Sequence, residues 1–130
     1  MVIGEMLTRT LRVDCEIIFS DITHTLYEQI LAFEPFGMGN PQPTFVTKDI
    51  TIEDMRLVGA DGRHVKLRLK QVTRNTSHVT SSFDAIAFGM GERSSQFHIG
   101  DAVDIVYTID EDRWDGNNKL QLKIKDLTGN

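Results

Sequence analysis

Cysteine is nearly absent from this 130-residue chain: Cys15 stands alone, so no internal disulfide can form. A lone thiol fits a reducing cytosol. Long apolar runs are missing as well, and no stretch approaches the ~20 consecutive apolar residues of a membrane helix. The start, Met1-Val2-Ile3-Gly4-Glu5, lacks a charged region followed by an apolar run, so no signal peptide is visible. The expectation is a cytoplasmic protein with no membrane partner. Basic charge is in deficit, with 14 Lys and Arg against 19 Asp and Glu, for a net −5. Residues 1–44 hold six acids and two bases; residues 45–130 hold the other 13 acids and 12 bases. The overall balance argues against nucleic-acid binding by bulk charge. It leaves room for a local basic stripe, because phosphate attraction acts within a Debye length of ~8–10 Å.

What is present is ordinary for a soluble globular domain. Apolar residues make up 40% and charged residues 25% of the chain, which excludes a disordered or collagen-like polymer. A chain of this length buries roughly two-thirds of its unfolded surface, enough for a core without staples.

The pattern along the chain begins as a strand and a helix. Val13-Asp14-Cys15-Glu16-Ile17 alternates apolar and polar. Ser20 or Asp21 is placed to cap a helix whose apolar positions are Ile22, Leu26, Ile30 and Phe33. Pro35 ends it, since the residue before a proline avoids the helical region. The stretch Phe36-Gly37-Met38-Gly39-Asn40-Pro41-Gln42-Pro43 is a shaped connector and the best candidate boundary. This divides the chain into a strand–helix unit at 1–35, a Gly/Pro connector at 36–44 and a second unit at 45–130.

Beyond the connector the period changes to that of strands. A long, mostly alternating run covers 45–58, and Gly59-Ala60-Asp61-Gly62 is a turn. His64 to Lys70 alternates without a fault. Residues 73–82 read as a polar loop and Phe83 to Phe88 as a third strand. Glu92 to Phe97 suits one or two helical turns. Residues 101–109 make a fourth strand, 110–118 a polar loop, and Lys119 to Leu127 a fifth strand. About 85 residues with five strands and a short helix between the third and fourth is the order of an OB-fold, a Greek-key barrel. The expected class is therefore mainly β, a five-stranded OB barrel preceded by a strand and an α-helix. An SH3-like barrel is the alternative that the helix position disfavours.

Catalytic and metal chemistry finds little support. His24, His64, His78, His98 and Cys15 are scattered without ligand spacing. Glu53-Asp54 and Glu111-Asp112 are adjacent on strands and face opposite sides, so they read as solvated surface. No Gly-x-Ser-x-Gly elbow occurs. Gly37-x-Gly39 and Gly89-x-Gly91 lack the rest of a phosphate loop and read as turns. No cofactor is expected in this chain.

The nucleic-acid signal is better. His64, Lys66, Arg68 and Lys70 share one face of their strand, opposite Val65, Leu67 and Leu69. Lys119, Gln121, Lys123 and Lys125 share a face opposite Leu120, Leu122 and Ile124. OB-folds bind single strands across their second and third strands and the loops joining strands 1–2 and 4–5. Here those loops carry Arg63, and Arg113 with Trp114. A base stacking on Trp114 would be worth ~1–3 kcal/mol, but the flanking acids favour a side chain folded over the barrel end. Phe83, Phe88, Phe97 and Tyr107 read as core. The competing explanation for both basic rows is a solvated barrel exterior whose lysines keep edges soluble.

Phe33-Glu34-Pro35-Phe36-Gly37-Met38-Gly39-Asn40-Pro41-Gln42-Pro43-Thr44-Phe45 resembles the RecJ family of single-stranded-DNA-specific exonucleases, as do Phe83 to Gly89 and Trp114 to Leu127. In that family a Pro-Phe-Gly-x-Gly-Asn-Pro-x-Pro-x-Phe stretch joins a catalytic-core domain, DHHA1, to a C-terminal OB domain. The resemblance makes Phe36, Gly37, Gly39, Asn40, Pro41 and Pro43 connector residues, and 1–35 the end of the DHHA1-like domain. It implies a 5′→3′ exonuclease of DNA repair and recombination, dependent on manganese or magnesium. The chain contains neither the family's Asp-His-His motif nor its Gly-Gly-His stretch. The expected role is therefore to clamp single-stranded DNA beside a catalytic core supplied elsewhere. The alternative role is docking on that core or on single-stranded-DNA-binding protein, favoured by the acidic balance and the hydrophobic connector.

Overall fold

The alternation from residue 64 onward becomes a strand in which Val65, Leu67 and Leu69 are buried while Arg68 between them is exposed. The computed structural model describes residues 15–32, 42–72, 80–112 and 119–129. Its strands are β1 (Cys15–Glu16), β2 (Phe45–Val58), β3 (His64–Val72), β4 (Thr80–Ala87), β5 (Ala102–Asp112) and β6 (Lys119–Gly129), with one helix, α1 (His24–Leu31). The sheet runs β1-β2-β3-β4-β6-β5, and β5 also pairs with β2. That second pairing closes β2 to β6 into a five-stranded OB barrel, with β1 added in parallel alongside β2.

The length of β2 is what permits closure. Its first half pairs with β5 and its second half with β3. Two register shifts bend it, one between Thr47 and Ile50 and one between Ile52 and Asp54. Within the first, Asp49 takes φ 61°, and its amide donates to Asp104 Oδ1 at 3.0 Å. The barrel's remaining seam is parallel, β4 against β6 through Asp84–Ile86 and Gln121–Lys123.

Ile50, Leu69, Ala85, Val103, Ile105, Tyr107 and Leu122 are fully buried in the interior. Thr47 donates its hydroxyl proton to the Ile17 carbonyl (2.8 Å), so Tyr107 must donate to Thr47 across their 2.7 Å contact. Burial pushes the Tyr107 phenol well above its ordinary range, against the opposing pull of that hydrogen bond. A 3₁₀ helix at Gly91–Gln96, between the third and fourth barrel strands, closes one end with Met90 and Phe97 packed on the core. Arg93 ties it to β6, donating to Asp126 (3.0 Å) and to the Leu127 carbonyl (2.6 Å).

The strand–helix unit packs into the same core. Phe19, Ile22, Tyr27 and Ile30 belong to the barrel's hydrophobic cluster, and Phe19 meets Phe83 edge-on at 5.2 Å. The helix starts later than the sequence suggests. Ser20 and Asp21 sit in a 3₁₀ turn, and Thr23 is the cap, accepting from the Leu26 amide at 3.1 Å. Phe19 and Ile22 must both enter the core, so Ile22 is extended (φ −82°, ψ 104°) and the helix begins after it. Strands β4, β5 and β6 each run a few residues further than their alternation marks. Among the described residues, no helix is long and apolar enough to cross a membrane.

Candidate nucleic-acid interface

Strand register sorts the outer face of β2, β3, β4 and β6 into rungs. One rung is Arg56–Lys66–Ile86–Lys123, and the next is Asp54–Arg68–Asp84–Gln121. Thr51–Lys70–Ser82 follows on one side, and Val58–His64 ends the face on the other. The basic row on β3 is thus real and outward-facing, but its members stand in different electrostatic surroundings.

Arg68 is clamped by carboxylates. Its Nη1 donates to Asp84 Oδ1 at 2.9 Å, and its Nε lies 3.9 Å from Glu53 Oε1. Lys123 is engaged too, with Nζ 2.8 Å from Asp110 Oδ2. Burial works to raise the Asp110 carboxyl, but the Lys123 ammonium, the Glu111 amide and the Tyr27 hydroxyl outweigh it and hold it below its usual value. Among the described residues, no ion pair reaches Arg56, Lys66 or Lys70. A depression of about 150 Å³ lies over this region, lined by Asp54, Arg56, Lys66, Leu67, Arg68 and Asp84. A larger cleft of about 320 Å³ opens between the start of α1 and β6, with Thr23, His24, Arg68 and Lys119 on its walls.

At the end of the face, His64 is half-buried and fixed. Its Nδ1 accepts from the Gly89 amide at 2.8 Å, and its ring meets Phe88 edge-on with centroids 5.2 Å apart. Arg63 is exposed beside it. Lys119 and Lys125 are exposed on β6, but the shared face proposed for that strand breaks at Lys125. Ile124 pairs with Tyr107 and Asp126 with Val106, so Lys125 is the extra residue of a bulge. Arg113, Trp114, Phe36, Gly37, Gly39, Asn40 and Pro41 lie outside the described residues. Pro43 is half-buried just ahead of β2, and neighbouring Gln42 donates to the Ile109 carbonyl at 3.1 Å.

Two residues escaped the sequence reading. Arg56 joins Lys66 on the most basic rung, but the β2 bulge scrambles the alternation that would have placed it. Phe88, read as core, is 57% exposed. The signal was present: Phe83, Ala85 and Ala87 point inward, so parity sends Phe88 outward.

Residues 13–126 match the profile of the RecJ OB domain. The chain is 34% identical over 106 residues to the single-stranded-DNA-specific exonuclease RecJ of Bacillus subtilis strain 168, covering 82% of this chain and 13% of that protein. It therefore spans a small fraction of that relative. Its fold is similar to that of RecJ from Thermus thermophilus solved with Mn²⁺, with a TM-score of 0.65 at 19% identity, over 92% of this chain and 16% of the other. It is also similar in fold to a small single-stranded DNA-binding protein from Streptomyces coelicolor, with a TM-score of 0.51 at 17% identity, over 67% of this chain and 90% of that one.

Proposed function

From the premise that this chain belongs to the RecJ OB-domain family, we propose that it binds single-stranded DNA on the outer face of β2 and β3 and holds it beside a nuclease core. The observation that carries this reading is the cluster of Arg56, Lys66 and Lys70 on one face with no carboxylate partner among the described residues. Successive same-face residues on β3 lie about 6.6 Å apart, from a rise of ~3.3 Å per residue, which suits phosphates on an extended strand. The B. subtilis relative is a single-stranded-DNA-specific exonuclease by name, which supports the substrate.

The nuclease chemistry belongs to the parent enzyme, a manganese- or magnesium-dependent 5′→3′ exonuclease of repair and recombination in the cytoplasm. Its metal would be held by motifs this sequence lacks, and among the described residues no cluster of His, Cys, Asp or Glu could hold one. In this scheme residues 36–44 join the DNA-holding barrel to the core, and 1–35 is the end of the domain before it. The purified chain should release no nucleotides from single-stranded DNA with manganese present; degradation tracking the protein through purification would overturn that assignment.

The binding itself is tested by titrating labelled oligo-dT at several salt concentrations. Three phosphate contacts give a log–log salt slope of about −2, from ~0.7 per contact. Replacing Arg56, Lys66 and Lys70 together with alanine should remove most of that slope while leaving folding intact. An unchanged slope would make the face a solvated exterior, and docking on the core or on single-stranded-DNA-binding protein the better reading.

A further inference from the structure

An aromatic ring on a protein surface needs an explanation when it is both exposed and rigidly held. The exposed large apolar side chains among the described residues are Ile18, Leu57, Val72, Phe88 and Ile99, and Phe88 alone of these is aromatic. It follows Ala87 at the end of β4, in a turn where Gly89 takes φ 72°. Two backbone donors pin that turn to the start of β3. The Gly89 amide donates to His64 Nδ1 at 2.8 Å, and the Gly91 amide donates to the Arg63 carbonyl at 3.0 Å. The packing at Gly91 is so close that an added Cβ would collide with the Gly62 carbonyl oxygen. His64, oriented by its acceptor role, supports the Phe88 ring at 5.2 Å with 75° between the planes. An edge-to-face contact of this kind occupies one side of the pair and leaves the rest of the phenyl ring to solvent.

The position matters as much as the exposure. His64 sits one same-face step from Lys66, and Lys66 shares its rung with Arg56 and Ile86. The ring therefore stands at the end of the cationic track, beside exposed Arg63, where a strand held by its phosphates would present a base. Stacking on a preordered ring needs no base-specific hydrogen bond, which suits a binder of arbitrary sequence.

We infer that Phe88, buttressed by His64, is a stacking site for one nucleobase of a single strand whose backbone follows Lys66 and Arg56. The inference rests on the binding reading above and goes further by naming the base-contacting group. It names a different residue from Trp114, the aromatic that the sequence alone offers for stacking.

The test uses the 130-residue chain, a labelled oligo-dT and an abasic oligomer of equal length. Phe88→Ala should weaken oligo-dT binding about tenfold, leave the abasic oligomer unaffected and leave the salt slope unchanged. Phe88→Leu should behave like the alanine variant because it keeps apolarity without a π-face, while Phe88→Tyr should bind like the native chain. Both losses are read on proteins whose thermal melting matches the native chain; the tyrosine comparison stands if the alanine variant melts early. Native-like binding by Phe88→Ala and Phe88→Leu, with the Arg56/Lys66/Lys70 variant still weakened, overturns the stacking site and spares the binding reading. Equal losses on oligo-dT and the abasic oligomer overturn it as well. Absence of binding by the native chain overturns both.

Discussion

Arg68 shows why a basic residue on the right face is not automatically a phosphate ligand. Its guanidinium already has Asp84 at 2.9 Å and Glu53 at 3.9 Å, so a phosphate must displace one carboxylate and approach the other. Exposed ion pairs are weak, ~0.2–1 kcal/mol, so the clamp attenuates binding without abolishing it. Asp84→Asn should therefore raise oligo-dT affinity by roughly two- to fivefold and steepen the salt slope, as measured by anisotropy titration; unchanged affinity would place Arg68 off the DNA path. The pair Lys123–Asp110 makes a pH-dependent version of the same argument. Folding lowers the Asp110 pKa below its ordinary 3.8, so the unfolded chain binds the proton first as pH falls. The stability from this carboxylate is complete above about pH 5 and is lost as pH drops through the folded value. Lys123→Gln should bring the Asp110 titration, followed by NMR, back up toward the ordinary range. It should also narrow the difference in denaturation midpoint between variant and native chain at pH 3 relative to pH 6. At this scale the sequence revealed which residues face outward on β3 and β6 but not how their charges are used, because Asp84 and Asp110 engage Arg68 and Lys123 from neighbouring strands whose register no single segment reports.

Elements were legible where one period held without interruption. His64 to Lys70 needed no tertiary information, since each alternate residue meets either core or solvent. The start of α1 was less legible, because Ser20, Asp21 and Thr23 are all competent caps. The choice fell to Thr23 through the demand that Phe19 and Ile22 both reach the barrel. Irregularity in β2 and at Lys125 was invisible for a related reason: a bulge is set by the partner strand's register, which no single segment reports. The short helix before Phe97 was legible, yet its dependence on Gly91 was not. A methyl group there would collide with the Gly62 carbonyl oxygen and lie 3.0 Å from the Arg63 carbonyl, all backbone atoms of the β2–β3 turn. Gly91→Ala must push the helix off that turn and break the Gly91–Arg63 hydrogen bond, at a cost of about 2–3 kcal/mol. Chemical denaturation measures this directly. If Phe88 depends on the turn for its orientation, the same variant should also lose oligo-dT affinity.

The barrel as a whole explains what joins these elements and where the protein divides. Five strands and a helix in the right order pointed to the OB-fold, but closure depends on β2 pairing with both β3 and β5, a contact spanning about half the chain that no local pattern encodes. The connector at 36–44 suggested a division, with 1–35 as the end of a preceding domain. Whatever its ancestry, the segment 15–31 is energetically coupled to the barrel. Phe19 and Ile30 are 1% and 4% exposed within the shared core, the Ile17 amide donates to the Val46 carbonyl at 2.9 Å, and the Phe19 amide donates to Gln71 Oε1 at 2.7 Å. Removing the segment would uncover the β2 edge that β1 pairs with and strand the Thr47–Tyr107 pair without its Ile17 acceptor. Truncating one buried side chain of the size of Ile or Phe costs ~2–5 kcal/mol, while a domain's entire margin is ~5–15 kcal/mol. Losing Phe19, Ile22, Tyr27 and Ile30 together should therefore exceed what the barrel can spare. A chain beginning at Gln42 is expected to lose cooperative unfolding and dispersed amide signals, whereas the 130-residue chain should unfold in one transition. If the shortened chain instead unfolds cooperatively at the same midpoint, the barrel is autonomous. The connector would then mark an energetic boundary as well as a change of sequence pattern.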